Sequence, residues 1–369
     1  MIYRPIALQF CVFLFSLSVF AQKSKEVVNV QDFDREHELE KILTTINING
    51  EIWQAHNMSS NGQYIFVLNA DEVPPVKSYR LSDGEFMGGF ASKGGGPGEF
   101  QMFNPSGFGI RKGQLMIQGL KYVRIYDIVD GKEKVDLKLS FEFKAPPALG
   151  IINQGFFVDD NTLAGAVEFK PKEFVTFNIR PETEENYEPD GDFGDYPSLY
   201  PDIPNTAYHH LYAGMSSYSG DGRFLAKAYM NFPMIRLFEL PSGAYTDINF
   251  EAKNQQASKI VADKAGMSIR NSFGLYSYQD NVKMSENLIV SHYRESLAEK
   301  ITTNGVSSYQ WISQAEPFLL VFNLKGKLLA KLSLPDWFQS YTLTPDGRMI
   351  VFHPEIENKL FITDLKQFK

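Results

Sequence analysis

The sequence predicts an all-β protein, a six-bladed β-propeller built from four-stranded antiparallel blades. Three observations support this fold: a short turn recurs six times, an apolar run follows each turn, and a partly alternating run follows the apolar one. The second residues of the turns are 51, 48, 61, 65 and 60 positions apart, which indicates one repeated supersecondary unit. The six turns are Asn61-Gly62, Lys112-Gly113, Asp160-Asn161, Asp221-Gly222, Glu286-Asn287 and Asp346-Gly347.

Each repeated unit contains strands of two kinds. The apolar runs directly after the turns, such as residues 63–70 and 348–353, are typical of strands buried between two sheets. Later runs, such as residues 121–128 and 233–240, partly alternate and indicate more exposed third strands. An inner strand before the turn and an outer strand at the end complete a four-stranded meander. Six meanders bury their apolar faces by packing around a channel, which also shortens the exposed sheet edges.

The sixth unit reaches Lys369 without an outer strand of its own. We predict that residues 39–46 (LEKILTTI) supply this strand, so that an N-terminal strand closes the ring. Closed all-β folds often run long as one domain, and we therefore expect a single propeller domain over residues 39–369. Residues 22–38 are expected to form an N-terminal extension before it.

Residues 1–21 have the features of a signal peptide. Arg4 supplies the positive charge, residues 6–20 are apolar, and Val19-Phe20-Ala21 provides a cleavage site. We expect an exported protein of the periplasm or cell envelope. The mature chain should have no transmembrane span, because the apolar stretch is shorter than the about 20 residues of a membrane helix. Cys11 lies inside the stretch rather than at its end, which argues against a lipoprotein anchor.

The charge balance excludes the usual pattern of a nucleic-acid-binding protein. The chain has 36 Lys and Arg against 44 Asp and Glu, a net charge of -8, and no basic stripe. Residues 182–202 carry eight acidic side chains without a Lys or Arg and are expected to form a solvated loop. The expected partner is an envelope protein, peptide or glycan, and we expect a monomer.

Residues 90–131 resemble one repeat of the NHL-type propellers. The strings FASKGGGPGEFQMFNPSGFGI and KYVRIYDIVDGK match that pattern at Gly94, Gly96, Pro97, Gly98, Glu99, Phe100, Pro105, Gly107, Arg124, Tyr126 and Asp127. The other five units keep only the turns and the strand order. With the signal segment, the chain is similar to the exported TolB-like six-bladed propellers of Bacteroidetes. This resemblance implies the fold and an envelope location, and it implies no particular reaction.

The glycine run at residues 94–98 allows two interpretations. In the structural one, the glycines permit positive φ, Pro97 stiffens the turn, and Phe100 anchors the loop between blades. In the functional one, bare backbone amides bind an anion. No Lys-Ser/Thr pair follows the run, which favours the structural interpretation.

Three long connections are expected on one face of the ring, around the channel mouth. They cover residues 186–210, 251–276 and 294–315, whereas the turns between first and second strands and between third and fourth strands are expected to be short. Long ordered loops in a compact domain are usually functional. The candidate ligand-binding residues on these connections are Tyr208, His209, His210, Arg270, His292, Arg294 and Trp311.

These candidates differ in the chemistry they offer. His209 and His210 would point to opposite sides of an extended chain and are poor joint ligands for one metal. Arg270 could hold an anion bidentately or form a structural salt bridge. His292, Arg294 and Trp311 combine the aromatic and guanidinium groups used in carbohydrate or peptide recognition.

We therefore predict a non-catalytic binding or scaffold propeller, with no catalytic residues and no cofactor. The alternative is a lactonase-like, metal-dependent hydrolase or lyase at the channel mouth, with Glu51, His56 and Asp280 as inward ligands. A calcium loop at residues 190–195 fails the EF-hand spacing, because Gly194 stands where the third carboxylate belongs. The sequence contains neither a His-x-x-x-His pair nor a nucleophile elbow.

Overall fold

Six four-stranded antiparallel meanders form the predicted six-bladed propeller. In the computed structural model, the described residues are 27–30, 33–120, 122–131, 133–144, 155–167, 170–178, 189–197, 208–251, 260–262, 269–271, 275–303 and 306–369. Helix is limited in these ranges to single turns at Leu39–Ile42 and Tyr208–Leu211 and a 3-10 turn at Leu365–Phe368. None of the helices in these ranges is long and apolar enough to cross a membrane.

The strands of each blade are given from the inner to the outer strand. Blade 1 consists of Asn57–Ser60, Tyr64–Leu68, Val76–Arg80 and Phe86–Phe90. Blade 2 consists of Phe103–Arg111, Gln114–Gly119, Tyr122–Val129 and Asp136–Lys144. Blade 3 consists of Gly155–Phe157, Thr162–Gly165, Phe174–Asn178 and Gly191–Phe193. Blade 4 consists of Gly214–Tyr218, Phe224–Tyr229, Met234–Glu239 and Ala244–Phe250. Blade 5 consists of Leu275–Met284, Leu288–Thr303, Phe318–Asn323 and Leu328–Ser333. Blade 6 consists of Ser340–Leu343, Arg348–Phe352, Lys359–Asp364 and Thr44–Asn47.

The recurrent turns connect the first and second strands of each blade. Where the second turn residue is glycine, its φ is positive, from +73° at Gly222 to +93° at Gly62, a region that other L-residues rarely adopt. The second strand that follows is buried along most of its length, as at Tyr64–Leu68, because it lies between the sheets of two neighbouring blades. Local turn chemistry and burial on both faces thus produce the repeat seen in the sequence.

An N-terminal strand closes the ring, as predicted, but it is shorter than expected. Thr44–Asn47 pairs antiparallel with the third strand of blade 6, with Thr44 opposite Ile362. The first half of the predicted strand is instead the helical turn Leu39–Ile42. Leu39 is fully buried between blades 5 and 6, so the turn carries the chain from one blade to the next while burying an apolar side chain.

The segment before this strand also pairs with the blades. Val27–Val28 lies parallel to the outer strand of blade 4, and Glu36–Glu38 lies parallel to the outer strand of blade 5. Three short N-terminal strands therefore lie along the edges of three successive blades: Val27–Val28, Glu36–Glu38 and Thr44–Asn47. An uncovered edge would offer unpaired backbone groups to other chains, so this cover protects the sheet.

Two expectations about the connections are wrong. Residues 294–315 are not a loop, because the strand Leu288–Thr303 extends into this range. The strand Val306–Ser313 then pairs antiparallel with its second half as a hairpin. The sequence carries Asn304-Gly305 between the two strands, a strong hairpin signal. Blade 3 breaks the rule of short turns between third and fourth strands, since residues 179–190 separate Asn178 from Gly191. The acidic segment 182–202 accordingly contains an outer strand, Gly191–Phe193, within the expected loop.

Candidate functional site

Three of the predicted ligand-binding residues, Tyr208, His209 and His210, lie on a helical turn and not on an extended chain. Tyr208–Leu211 forms this turn, and the Tyr208 ring packs 5.4 Å from Tyr196 and 5.5 Å from Tyr212 between ring centroids. Tyr212 is buried and continues the aromatic cluster to Phe232. His209 is half-buried, and the side chain of His210 lies outside the described part of the chain. The packing gives Tyr208 a structural role at this turn.

His292 and Arg294 lie on the second strand of blade 5, two residues apart, so their side chains leave the same side of the strand. His292 stands opposite Asn281 and Leu319, and its ring meets Phe338 nearly at right angles at 5.4 Å. Burial, with a smaller contribution from the Arg294 charge, lowers the pKa of His292 to about 4. His292 is therefore neutral at physiological pH and serves as an uncharged aromatic group.

The structure separates Trp311 from this pair along the strand. Trp311 is opposite Ala298, four residues beyond Arg294, which corresponds to about 13 Å along the strand. Arg270 lies on the small hairpin of Ile260–Ala262 and Ile269–Asn271, opposite Val261. The side chains of Trp311 and Arg270 lie outside the described residues. The seven candidates thus remain a predicted binding set, within which the described side chains place His292 beside Arg294.

The residues proposed for a metal-dependent enzyme have other partners. The Nδ1 atom of His56 accepts a hydrogen bond from the Ala70 amide at 3.0 Å, and its Nε2 atom is 3.7 Å from the Asp71 carboxylate. Glu51 is exposed, and the Asp280 side chain lies outside the described residues. Within the described ranges, no three His, Cys, Asp or Glu side chains are arranged to hold a metal ion.

The acidic residues considered for calcium also have partners. Asp190 accepts a hydrogen bond from the Thr176 hydroxyl at 2.9 Å, and Asp195 forms an ion pair with Lys172. Both contacts attach the outer strand Gly191–Phe193 and its flanks to blade 3. These carboxylates therefore stabilise a blade edge.

The glycine-rich loop of blade 2 is held by the chain itself. Arg124 donates to the carbonyl oxygens of Gly98 at 2.8 Å and Glu99 at 3.0 Å, and its guanidinium lies 4.5 Å above the Phe100 ring centroid. The Glu99 carboxylate accepts from the Gly96 amide at 2.7 Å and occupies the space where a side chain at Gly94 would lie. An internal carboxylate thus takes the place of an external anion, which supports the structural interpretation.

The central channel contains polar residues that sequence reasoning missed. The inner strands of blades 1, 2, 4, 5 and 6 line a cavity of about 100 Å³. At Gly220 and Pro345 it reaches the end of the ring that carries the turns between first and second strands, which we call the short-turn end. Lys283 extends from blade 5 across this cavity and donates to Asn57 Oδ1 of blade 1 at 2.6 Å. In the sequence, this channel group was visible only as a lysine between the apolar residues Val282 and Met284.

Two buried hydroxyl groups line the same cavity. Ser216 Oγ and Tyr218 OH, both on the inner strand of blade 4, have no hydrogen-bond partner among the described residues. Burial raises the pKa of Tyr218, so its hydroxyl stays protonated. Burial lowers the pKa of Lys283 to about 8, so its amine is mostly charged at neutral pH. The cavity therefore combines one cation with neutral hydroxyl donors.

The fold and channel define the chain as a six-bladed β-propeller. No protein-family model matches the sequence, and no curated protein matches it. Among solved structures, the chain is similar to a member of the DUF4221 family from Bacteroides vulgatus, with a TM-score of 0.52 and 10% identity over 87% of this chain and 95% of that chain. At this identity the likeness shows the fold alone.

Other propellers align more weakly. The WD40 propeller domain of Doa1 has a TM-score of 0.43 and 10% identity over 87% of this chain and 95% of that chain. A luciferin-regenerating enzyme has a TM-score of 0.41 and 10% identity over 88% of this chain and 96% of that chain. These scores are too low to support a functional argument.

Proposed function

We propose that the protein is an exported, non-catalytic binding propeller that recognises an envelope protein, peptide or glycan through the face bearing its long connections. In an antiparallel meander, the connection between second and third strands lies on the same face as the connection to the next blade. The segments after Phe193, after Phe250 and after Thr303 therefore all emerge on this face. The segment after Asn178 leaves on the opposite face, but the three longest connections share this one, and a concentration of long connections is typical of a binding surface.

The observation that carries the proposal is a projecting arm on blade 5. Its second strand leaves the third strand after Tyr293 and pairs from Ser296 to Thr303 with the returning strand Val306–Ser313. We call these two segments the arm; eight residues of strand correspond to about 25 Å. The inner strand of blade 5 accompanies only the base of the arm, at Leu275–Ser277.

The arm offers features suited to an extended peptide. The far edge of Val306–Ser313 pairs with no strand among the described residues, so its backbone groups are available for β-augmentation. The returning strand VSSYQWIS is rich in β-branched and aromatic residues, and Tyr and Trp are frequent binding hot spots. These features favour a protein or peptide over a glycan as the partner.

Location in the envelope rests on the signal-like residues 1–21, which lie outside the described residues. A positive residue, an apolar stretch and a small-residue cleavage site support export. Fractionation of cells, followed by N-terminal sequencing of the mature protein, tests this part. An intact Met1 in the cytoplasmic fraction would contradict it.

The binding role is tested by co-purification from envelope extract after cross-linking. Trp311→Ala and an arm shortened to a tight turn between residues 297 and 312 should each reduce recovery of the partner at least tenfold, the effect of losing a hot spot. Phe86→Ala is the control, because Phe86 is an exposed aromatic residue at the start of the outer strand of blade 1, beside a short turn on the opposite face. Equal recovery by all variants would exclude the arm as the binding surface.

A further inference from the structure

The channel holds a lysine with no acidic partner among the described residues around it. The Lys283 ammonium has three donors, and Asn57 Oδ1 accepts one of them at 2.6 Å. None of the described residues that line the cavity is an Asp or Glu. Lys283 retains some accessible surface, but this surface faces the channel cavity. A buried ammonium is costly unless an anion pairs with it.

Two hydroxyl groups in the cavity also lack a hydrogen-bond partner among the described residues. Ser216 and Tyr218 are two residues apart on one strand, so their side chains leave the same side of it. Neither hydroxyl has a hydrogen-bond partner within the described ranges, although buried polar groups are usually paired. Lysine and hydroxyls from two blades thus line one cavity.

The other titratable groups leave the charge balance unchanged. His56 of blade 1 already uses Nδ1 to accept from Ala70. Tyr218 of blade 4 stays neutral because burial raises its pKa. Blade 6 contributes Thr342 and Leu343, which do not titrate, and the cross-strand neighbour of Lys283 in blade 5 is Val290. Arg111 of blade 2 is a second cation whose charge acts on Tyr218, but it does not line the cavity and lies 3.6 Å from the Asp160 carboxylate. Lys283 is therefore the one charged group among the described residues that line the cavity.

Size and lining specify the ligand further. A cavity of about 100 Å³ admits a molecule of a few heavy atoms. Met215, Met284 and Phe108 line it beside the polar groups, so part of the ligand surface would be apolar. A single cation balances one negative charge, which fits a monocarboxylate better than a dianionic phosphate.

We propose that the channel binds a small monocarboxylate, with Lys283 Nζ as its ion-pair partner and the Ser216 and Tyr218 hydroxyls as hydrogen-bond donors. The cavity reaches the short-turn end of the ring, opposite the arm, so this site is separate from the face proposed for a macromolecular partner. The two proposals can fail independently.

Isothermal titration of the purified protein with propionate tests the site, with neutral propionamide and inorganic phosphate as comparison ligands. Propionate should bind in a 1:1 ratio and at least tenfold more tightly than either of the others. Lys283→Met should weaken propionate binding at least tenfold, whereas Lys325→Met, at an exposed turn lysine, should leave it unchanged. Ser216→Ala and Tyr218→Phe should each weaken it severalfold.

Raising the pH through about 8 should weaken propionate binding, because the Lys283 amine then loses its charge. Circular dichroism of each variant distinguishes lost binding from lost folding. Tyr218→Phe, which removes one oxygen atom, provides a second test if Lys283→Met does not fold. Several results would overturn the proposal: no propionate binding below about 10 mM, equal binding of propionamide, tighter binding of phosphate, or unchanged affinity in folded Lys283→Met.

Discussion

Replacing Lys283 by methionine should stabilise the folded protein near neutral pH, and this gain should disappear at high pH. Burial lowers the pKa of Lys283 from 10.5 to about 8. One pKa unit corresponds to about 1.4 kcal/mol, so holding the charged amine in the channel costs roughly 3 kcal/mol below pH 8. Methionine fills a similar volume and carries no charge.

The direction of the pH dependence follows from which state holds the proton more tightly. The folded pKa is lower than the unfolded one, so the unfolded chain binds the proton more tightly. The cost is complete below the folded pKa of about 8 and vanishes above the unfolded value of 10.5. The wild type therefore gains stability between these values, and the advantage of Lys283→Met should shrink over the same window.

The lost hydrogen bond should offset little of this gain. Asn57 Oδ1, which accepts from Lys283, also accepts from the Met58 amide at 2.8 Å. The amide oxygen therefore keeps a partner in the variant. A buried acceptor that stays paired avoids the penalty of an unsatisfied group.

Urea unfolding of both proteins at pH 7, 9 and 10.5, in buffers free of carboxylates, measures the effect. The difference in the free energy of unfolding should be about 3 kcal/mol at pH 7 and close to zero at pH 10.5, with similar m-values. Lys325→Met serves as the exposed control and should show no such trend. A variant less stable than the wild type at pH 7, or a difference independent of pH, would refute the reasoning.

Three further predictions concern the ring and its alternatives. Glu173→Gln should lower the free energy of unfolding in urea by on the order of 3 kcal/mol, because it removes the buried carboxylate that accepts from Lys227 at 2.7 Å and Arg236 at 3.2 Å. Glu316→Gln, at an exposed position, is the control, and a Glu173→Gln variant as stable as the wild type would contradict the prediction. Removing residues 36–47 should lower the melting temperature sharply through loss of the closing strand, whereas an unchanged melt would exclude that role. Dialysed protein should hold less than one equivalent of calcium or zinc by elemental analysis, and stoichiometric metal would favour the hydrolase alternative.

The blades could be predicted because their signals are local. Glycines such as Gly62 and Gly347 adopt positive φ in the turns, and the strands after them are buried on both faces. Both properties depend on a few consecutive residues, so they are visible in the sequence. Ring closure followed from the missing outer strand of the last unit and is confirmed at Thr44–Asn47.

The arm and the aromatic turn show where sequence reasoning was incomplete. The hairpin signal Asn304-Gly305 lay inside a segment interpreted as a loop, so the arm was missed. Tyr208 was predicted to bind a ligand at the end of a long loop, yet its ring packs against the rings of Tyr196 and Tyr212. Such packing depends on side chains meeting in space, which residue spacing does not report.

The sequence by itself determined the number of blades, their order and the strand that closes the ring, because turns and strand burial are encoded by neighbouring residues. Only the tertiary structure decided which side chains share the channel. Lys283 and Asn57 are 226 residues apart, and Ser216 comes from a third blade. These three residues lie on the inner strands of blades 5, 1 and 4, so they meet only when the ring closes.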